Sequence, residues 1–347
     1  MRKFLVLLII CISTFSILSC TKDGNTIYVD DDQVEDTRPI IYFIYKEGAL
    51  GDLGYIDAIY RGVAKAADEK NMLLSLTELP DDTAKIDFAV NYFLEYMQKV
   101  NNNRKALVVI ANDNYEQLLH QYEKVLSGIS NVDILLTETQ DKTLPIYSLR
   151  FPAYGACYQA GRVVNECFTD VNQVLIANAN PKEANIKDMR TAFMKGMADG
   201  DRKVTVDNYY ISDADNGYDQ ANEMYEKAYE IDKKYQMVIP FCGGSTSGFL
   251  RYNREHPNSF YTVGIDTDLQ LYSSRLPFSI VKHLDKAVED WILKWEKGEV
   301  QPKHQDLGLA SGYVELVVAN AYQSKLDAAV KKYYQTAIDK ENEYENQ

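Results

Sequence analysis

Four stretches of this 347-residue chain set glycine, acidic and basic residues where a backbone could meet a small ligand: Lys46–Tyr55, Asn112–Tyr115, Gly243–Gly248 and Ile265–Gln270. Each follows a run that reads as a β-strand. Beyond the carboxyl ends of parallel strands, backbone N–H groups open helices and can hold polar ligands. Catalytic constellations are not found beside them. His120, His256, His283 and His304 are scattered, with no His-x-x-x-His pair and no Cys-x-x-Cys, so metal chemistry has little to stand on. Gly243-Gly244-Ser245-Thr246-Ser247-Gly248 lacks the Gly-Lys-Ser/Thr ending of a phosphate loop, and Thr246 stands where a nucleophile elbow needs serine. Neither Gly48-Ala49-Leu50-Gly51 nor Gly51-Asp52-Leu53-Gly54 makes a dinucleotide fingerprint. Asp213-Ala214-Asp215-Asn216-Gly217 begins like a calcium loop, but Tyr218 takes the glycine position and no glutamate follows at twelve. The expectation is a binding protein: not an enzyme, with no cofactor and no metal.

The elements that position these stretches alternate. Ile40–Tyr45 reads as a strand and Tyr55–Lys70 as a helix, with Ile56, Ile59, Val63 and Ala67 at helical spacing. Met72–Thr77 reads as a strand, Ile86–Val100 as a helix, and Ala106–Ala111 as the continuous apolar strand of a parallel sheet interior. Tyr115–Leu126 is expected to be helical, with strands at Val132–Leu136 and Pro145–Leu149. A second round then begins. Tyr154–Phe168, Asn185–Ala198 and Tyr218–Lys234 are expected helices; Gln173–Ala179, Val204–Ile211, Met237–Cys242 and Phe260–Ile265 are expected strands. Phe278–Val281 (strand), Asp285–Lys297 (helix) and the apolar Leu309–Val318 fit extra crossings between two lobes. Strands alternating with helices imply parallel sheets and right-handed crossovers, and about 300 residues exceed the usual size of one core. The fold class expected is α/β: two doubly wound parallel-sheet lobes joined by a three-strand hinge. Residues 40–149 plus 276–305 would form the first lobe, and 150–275 plus 306–347 the second.

The N-terminus carries a different signal. Arg2 and Lys3 precede the apolar run Phe4–Ile12, and Ile17-Leu18-Ser19-Cys20 closes it, which reads as a secretion signal over 1–19. The run is far short of the ~20 residues that span a bilayer. The Ile-Leu-Ser-Cys end looks like a bacterial lipobox, in which Cys20 is lipidated and becomes the mature N-terminus. An ordinary signal with an incidental cysteine is the alternative. Residues 20–39 then form a tether rich in acids, including Asp30-Asp31-Asp32, that buries too little surface to order itself. A metal site in that triplet is the other reading. The formal charge of −14, more negative once Arg2 and Lys3 leave, argues against nucleic acid and against charge-driven adhesion to anionic lipid. A membrane partner through the lipid alone is therefore expected, at the cell envelope facing periplasm or exterior. The 26 tyrosines suit both half-buried sheet surfaces and stacking clefts. Cys157 and Cys167, ten apart in one expected helix, would lie about 15 Å apart along its axis. They could not pair there, so buried free thiols are expected at Cys157, Cys167 and Cys242.

Six motifs in order resemble one family. They are Gly48 to Gly62 around Asp52, Tyr55-Ile56-Asp57 and Tyr60; Ala156 to Gly161; Phe193-Met194-Lys195-Gly196; Cys242 to Gly248; Val263-Gly264-Ile265-Asp266-Thr267-Asp268-Leu269-Gln270; and Ser279 to Val288 around Lys282 and Asp285. Over about Ile40 to Val318 the chain is similar to the basic membrane protein family. These are substrate-binding lipoproteins of ABC transporters, of the purine-nucleoside-receptor type, with a fold like type I periplasmic binding proteins. The resemblance implies a nucleoside or related ribosyl ligand held between the lobes, an ABC permease as partner, and a monomer. It implies that Asp266 accepts from ribose hydroxyls, Lys282 donates to them, and Gly244 lets the backbone approach. Turn-capping for Asp266 and a surface cation for Lys282 are the plainer readings. Asp52 reads as a helix N-cap. Lys46 stands where the family has its base-recognising Asp, Tyr55 where it has a stacking Phe, and Ile56 where it has Asn. No aromatic at Ser212–Asp215 matches the second stacking ring, although Tyr154, Tyr210 and Tyr218 are nearby in sequence. Ligand identity therefore stays open. A sugar or an anionic metabolite drawn by Lys46, or an interaction lipoprotein that has lost its ligand, are the other readings.

Overall fold

The computed structural model describes residues 36–52, 54–79, 104–111, 119–120, 131–214, 216–299 and 301–346. Residues 38–347 form one compact unit. The expected signal segment, Cys20, most of the expected tether, the expected helix Ile86–Val100 and nearly all of Tyr115–Leu126 lie outside the described residues.

A six-stranded parallel sheet is built from β1 (Ile40–Lys46), β2 (Leu73–Leu79), β3 (Ala106–Ile110), β4 (Val132–Thr137), β5 (Tyr147–Arg150) and β12 (His304–Asp306). Its order is β12-β5-β4-β3-β1-β2. A four-stranded parallel sheet holds β6 (Gln173–Asn178), β7 (Thr205–Tyr210), β8 (Met237–Phe241) and β9 (Tyr261–Thr262), in the order β7-β6-β8-β9. The three strands β10 (Gly264–Asp266), β11 (Phe278–Lys282) and β13 (Val314–Val318) form a third sheet, with β11 central and β13 antiparallel to it. The expected single strand Phe260–Ile265 is therefore two. At Val263 the chain leaves one sheet for the other, although Val263 N–H still donates to the Val238 carbonyl. Sequence shows one apolar run there because both halves are buried.

Helices cover the sheets. Helix α1 (Tyr55–Glu69) buries Ile56, Ile59, Val63 and Ala67, the stripe expected from its spacing, with Ala66 beside it. Each fully buried aliphatic of this kind is worth ~1.5–3 kcal/mol. Helices α2 (Tyr154–Cys167) and α3 (Ala184–Ala198) cross with backbones in contact. A Cβ on Gly161 or Gly196 would lie well inside contact distance of the Phe193 or Tyr158 carbonyl oxygen, respectively. Two of the family-like glycines are thus explained by helix packing. Helices α4 (Ala221–Ile231) and α6 (Leu284–Glu296) fall where helices were expected, whereas α5 (Thr246–Glu255), which opens at the glycine turn, was not read from the sequence. Helix α7 (Gln323–Glu345) was not read from the sequence, though Leu326, Ala329, Tyr333 and Ala337 make a buried stripe at helical spacing. Cys157 and Cys242 are buried free thiols as expected, but Cys167, at the open end of α2, is only half-buried.

Candidate ligand-binding site

Because β10 and β11 run parallel, with Asp266 opposite Val281, their final residues come together. Lys282, the last residue of β11, places Nζ 3.7 Å from Asp266 Oδ1 and donates to Glu138 Oε1 at 2.6 Å. Glu138 directly follows β4. Its N–H donates to the Leu149 carbonyl, and its Oε2 accepts from the Phe151 N–H at 3.3 Å. The Lys282 side chain is 7% exposed, Glu138 8% and Asp266 16%, so the surface-cation reading of Lys282 does not hold. Both acids have left-handed backbones, Glu138 at φ 64° and Asp266 at φ 65°; the other two such non-glycine residues among those described are asparagines. Asparagine tolerates that region and glutamate does so poorly. Strain of this kind collects where a structure fixes a side chain for use.

The charges of this group shape one another. Burial works against the Lys282 ammonium, but Glu138 and Asp266 outweigh it and hold its pKa well above the ordinary lysine value. Burial pushes the Asp266 carboxyl upward; Lys282 pulls it back, while Glu138 and Asp52 add to the rise. Asp52 is itself pushed up by burial against three backbone donors. Its carboxylate accepts from the N–H groups of Gly54, Ile56 and Asp57, which is the capping role expected, exerted from two residues ahead of the helix N-cap. Chemically the arrangement offers a fixed cation beside a carboxylate, the pair of partners a vicinal diol needs.

The other candidates are placed less closely. Tyr55 opens α1 and its hydroxyl bonds Thr137 Oγ1 at 2.6 Å, one residue before Glu138. That brings Tyr55 beside the same group. Lys46 ends β1 with its side chain partly exposed and its carbonyl accepting from the Ala49 N–H. Gly244 lies in the turn after β8, where a Cβ would meet the Tyr218 carbonyl at 3.0 Å. Its lack of a side chain thus serves a contact within the protein. Of the three nearby tyrosines, Tyr154 stacks on Tyr344 at 4.1 Å and Tyr210 bonds Arg190, while Tyr218 lies over Gly243, partly exposed. A small recess adjoins Lys282, lined by Arg150, Phe151, Tyr154, Asn185 and Asp188, with room for about one water molecule.

Sequence reasoning missed Glu138 and Thr137. An acid two residues after the run Val132–Leu136 was the available signal. Among the described residues no cluster of His, Cys, Asp and Glu is arranged to hold a metal ion.

A family model described as ABC transporter substrate-binding protein PnrA-like matches residues 41–347. The chain belongs to this family. The basic membrane protein resemblance drawn from six motifs is thereby borne out. PnrA-like proteins are substrate-binding components of ABC transporters, not an enzyme family; they bind small ligands and work with a permease outside the cytoplasm. No curated protein matches the chain in sequence. Solved structures do match in shape. A solute-binding protein of an ABC transporter system from Aeropyrum pernix K1 is 15% identical with a TM-score of 0.67, over 88% of this chain and 86% of that one. A solute-binding protein from Agrobacterium vitis bound with α-D-tagatopyranose is 15% identical with a TM-score of 0.59, over 85% and 98%. GanP, a glucose-galactose binding protein from Geobacillus stearothermophilus, is 14% identical with a TM-score of 0.56, over 81% and 98%. At such identities the match shows the fold, which is that of type I periplasmic binding proteins. Among the described residues no helix is long and apolar enough to cross a membrane.

Proposed function

We propose that this PnrA-like protein is the lipid-anchored receptor of an importer and takes a nucleoside or related ribosyl compound between two lobes, which hand it to the permease. The observation that carries the reading is the buried pair Asp266 and Lys282, held side by side at the ends of β10 and β11. Asp266 accepts from two neighbouring hydroxyls and Lys282 donates to one of them. Tyr55 offers a ring beside the pair, Gly244 a backbone approach, and Lys46 stands at the base end of the ligand. The lobes are residues 40–149 plus 276–305 and 150–275 plus 306–347, joined by three hinge crossings, and the working form is a monomer.

Mass spectrometry of small molecules released from denatured protein, purified with no ligand added, names the ligand. Calorimetry with inosine, guanosine and adenosine then measures it. Asp266→Ala or Lys282→Ala should weaken binding about ten- to a hundred-fold, the loss of a charged hydrogen bond to a buried hydroxyl. Unchanged affinity in both variants would overturn the site. For the anchor, Cys20→Ser should release the protein from membranes, and fatty-acid labelling that persists in that variant would refute the assignment.

A further inference from the structure

Lys282 could form its short bond with either of two acids. It lies 2.6 Å from Glu138 and 3.7 Å from Asp266, so the hydrogen bond goes to Glu138 and Asp266 receives only a longer ionic contact. Glu138 is built for this. It is buried, its backbone is left-handed, its N–H is tied to Leu149, and its second oxygen takes the Phe151 N–H. Neither oxygen can turn toward a ligand without abandoning a buried donor. The group also holds three carboxylates, Glu138, Asp266 and Asp52, against the one ammonium of Lys282.

We propose that Glu138 is a positioning residue that draws the Lys282 ammonium off Asp266 and keeps the site negative, so that it takes uncharged polyols in preference to anions. The proposal rests on the reading that the ligand sits at Asp266 and Lys282. Without Glu138 the ammonium would close directly onto Asp266, covering the oxygen a hydroxyl must reach. The site would also lose one negative charge, and with it part of its repulsion of phosphate or carboxylate.

The test has an arm that needs no ligand. The Lys282 Nζ resonance is followed through alkaline titration in ¹⁵N-lysine spectra and assigned by its loss in Lys282→Met. Glu138→Gln should lower its pKa by about one unit, as removal of a close opposite charge does. The second arm is calorimetry with inosine and inosine 5′-monophosphate. Glu138→Gln should weaken inosine and narrow its advantage over the monophosphate, each about ten-fold, the usual scale of one charged contact. A merely structural role would leave the Lys282 titration and the charge preference where they were. That result overturns the proposal. Should inosine fail to bind the unaltered protein, the nucleoside reading falls, and the Nζ titration still decides the role of Glu138. If Glu138→Gln does not fold, Glu138→Asp is read instead. With its carboxylate withdrawn by one methylene, Lys282 should titrate between the wild-type and ordinary values, and a wild-type titration overturns the proposal.

Discussion

Glu341, on α7, should make this protein lose stability as pH rises through neutrality. The carboxyl is 6% exposed, and its two oxygens accept from the N–H groups of Leu309 and Gly155, each at 2.8 Å. Burial pushes its pKa from the ordinary 4.5 up to about 7; the two backbone donors and Arg150 pull it down, and Glu345 adds to the rise. The folded value lies above the unfolded one. Below about pH 4.5 both states hold the proton and nothing is lost. Between there and about pH 7 the folded state keeps a proton that the unfolded state has released, so stability falls as pH rises. A gap of about 2.5 units corresponds to roughly 3 kcal/mol, fully expressed above neutrality. Glu341→Gln removes the ionisation but leaves one buried N–H facing an amide nitrogen, which costs about 1 kcal/mol or more. The variant should therefore be less stable than wild type at pH 5, more stable at pH 8 by roughly 1–2 kcal/mol, and cross it in between. Urea unfolding at unit steps from pH 5 to pH 8 measures this, and the difference between the proteins cancels groups they share. Equal pH slopes in the two proteins would refute the reasoning.

Other expectations follow from single contacts. Gly196→Ala would drive a methyl into the Tyr158 carbonyl at the α2–α3 crossing, and should destabilise by ~1–3 kcal/mol or more in urea unfolding. Lys282→Met leaves Glu138 and Asp266 without their cation and should destabilise by roughly 3–5 kcal/mol in urea unfolding at pH 8. Tyr55→Phe loses the bond to Thr137, whose hydroxyl keeps the Ile110 carbonyl as partner. The stability change should stay near ~1 kcal/mol, with ligand affinity by calorimetry nearly unchanged.

Much of the fold is legible in the sequence because burial imposes a period. Ile56, Ile59, Val63 and Ala67 mark α1, and the unbroken apolar run Ala106–Ala111 marks a strand covered on both faces. The long α7 escaped because its stripe of Leu326, Ala329, Tyr333 and Ala337 is thin, set among many charged residues, and ends on the buried acid Glu341. The switch of sheet at Val263 escaped because hydrophobicity reports that a residue is buried and not which partner buries it.

For the site, the sequence by itself placed Asp266 and Lys282 at strand ends and marked Asp52 as a cap, since these follow from local pattern and motif order. It determined the family as well, because six motifs spread over the chain keep their order. Only the tertiary structure decided that Lys282 is a buried cation and that Glu138, 144 residues away in the chain, is its closest acid. Only there do both acids adopt left-handed backbones around it. The reason is physical: a side chain's charge state and reach depend on which distant strand ends share its pocket, and pairing between sheets leaves no period in the sequence.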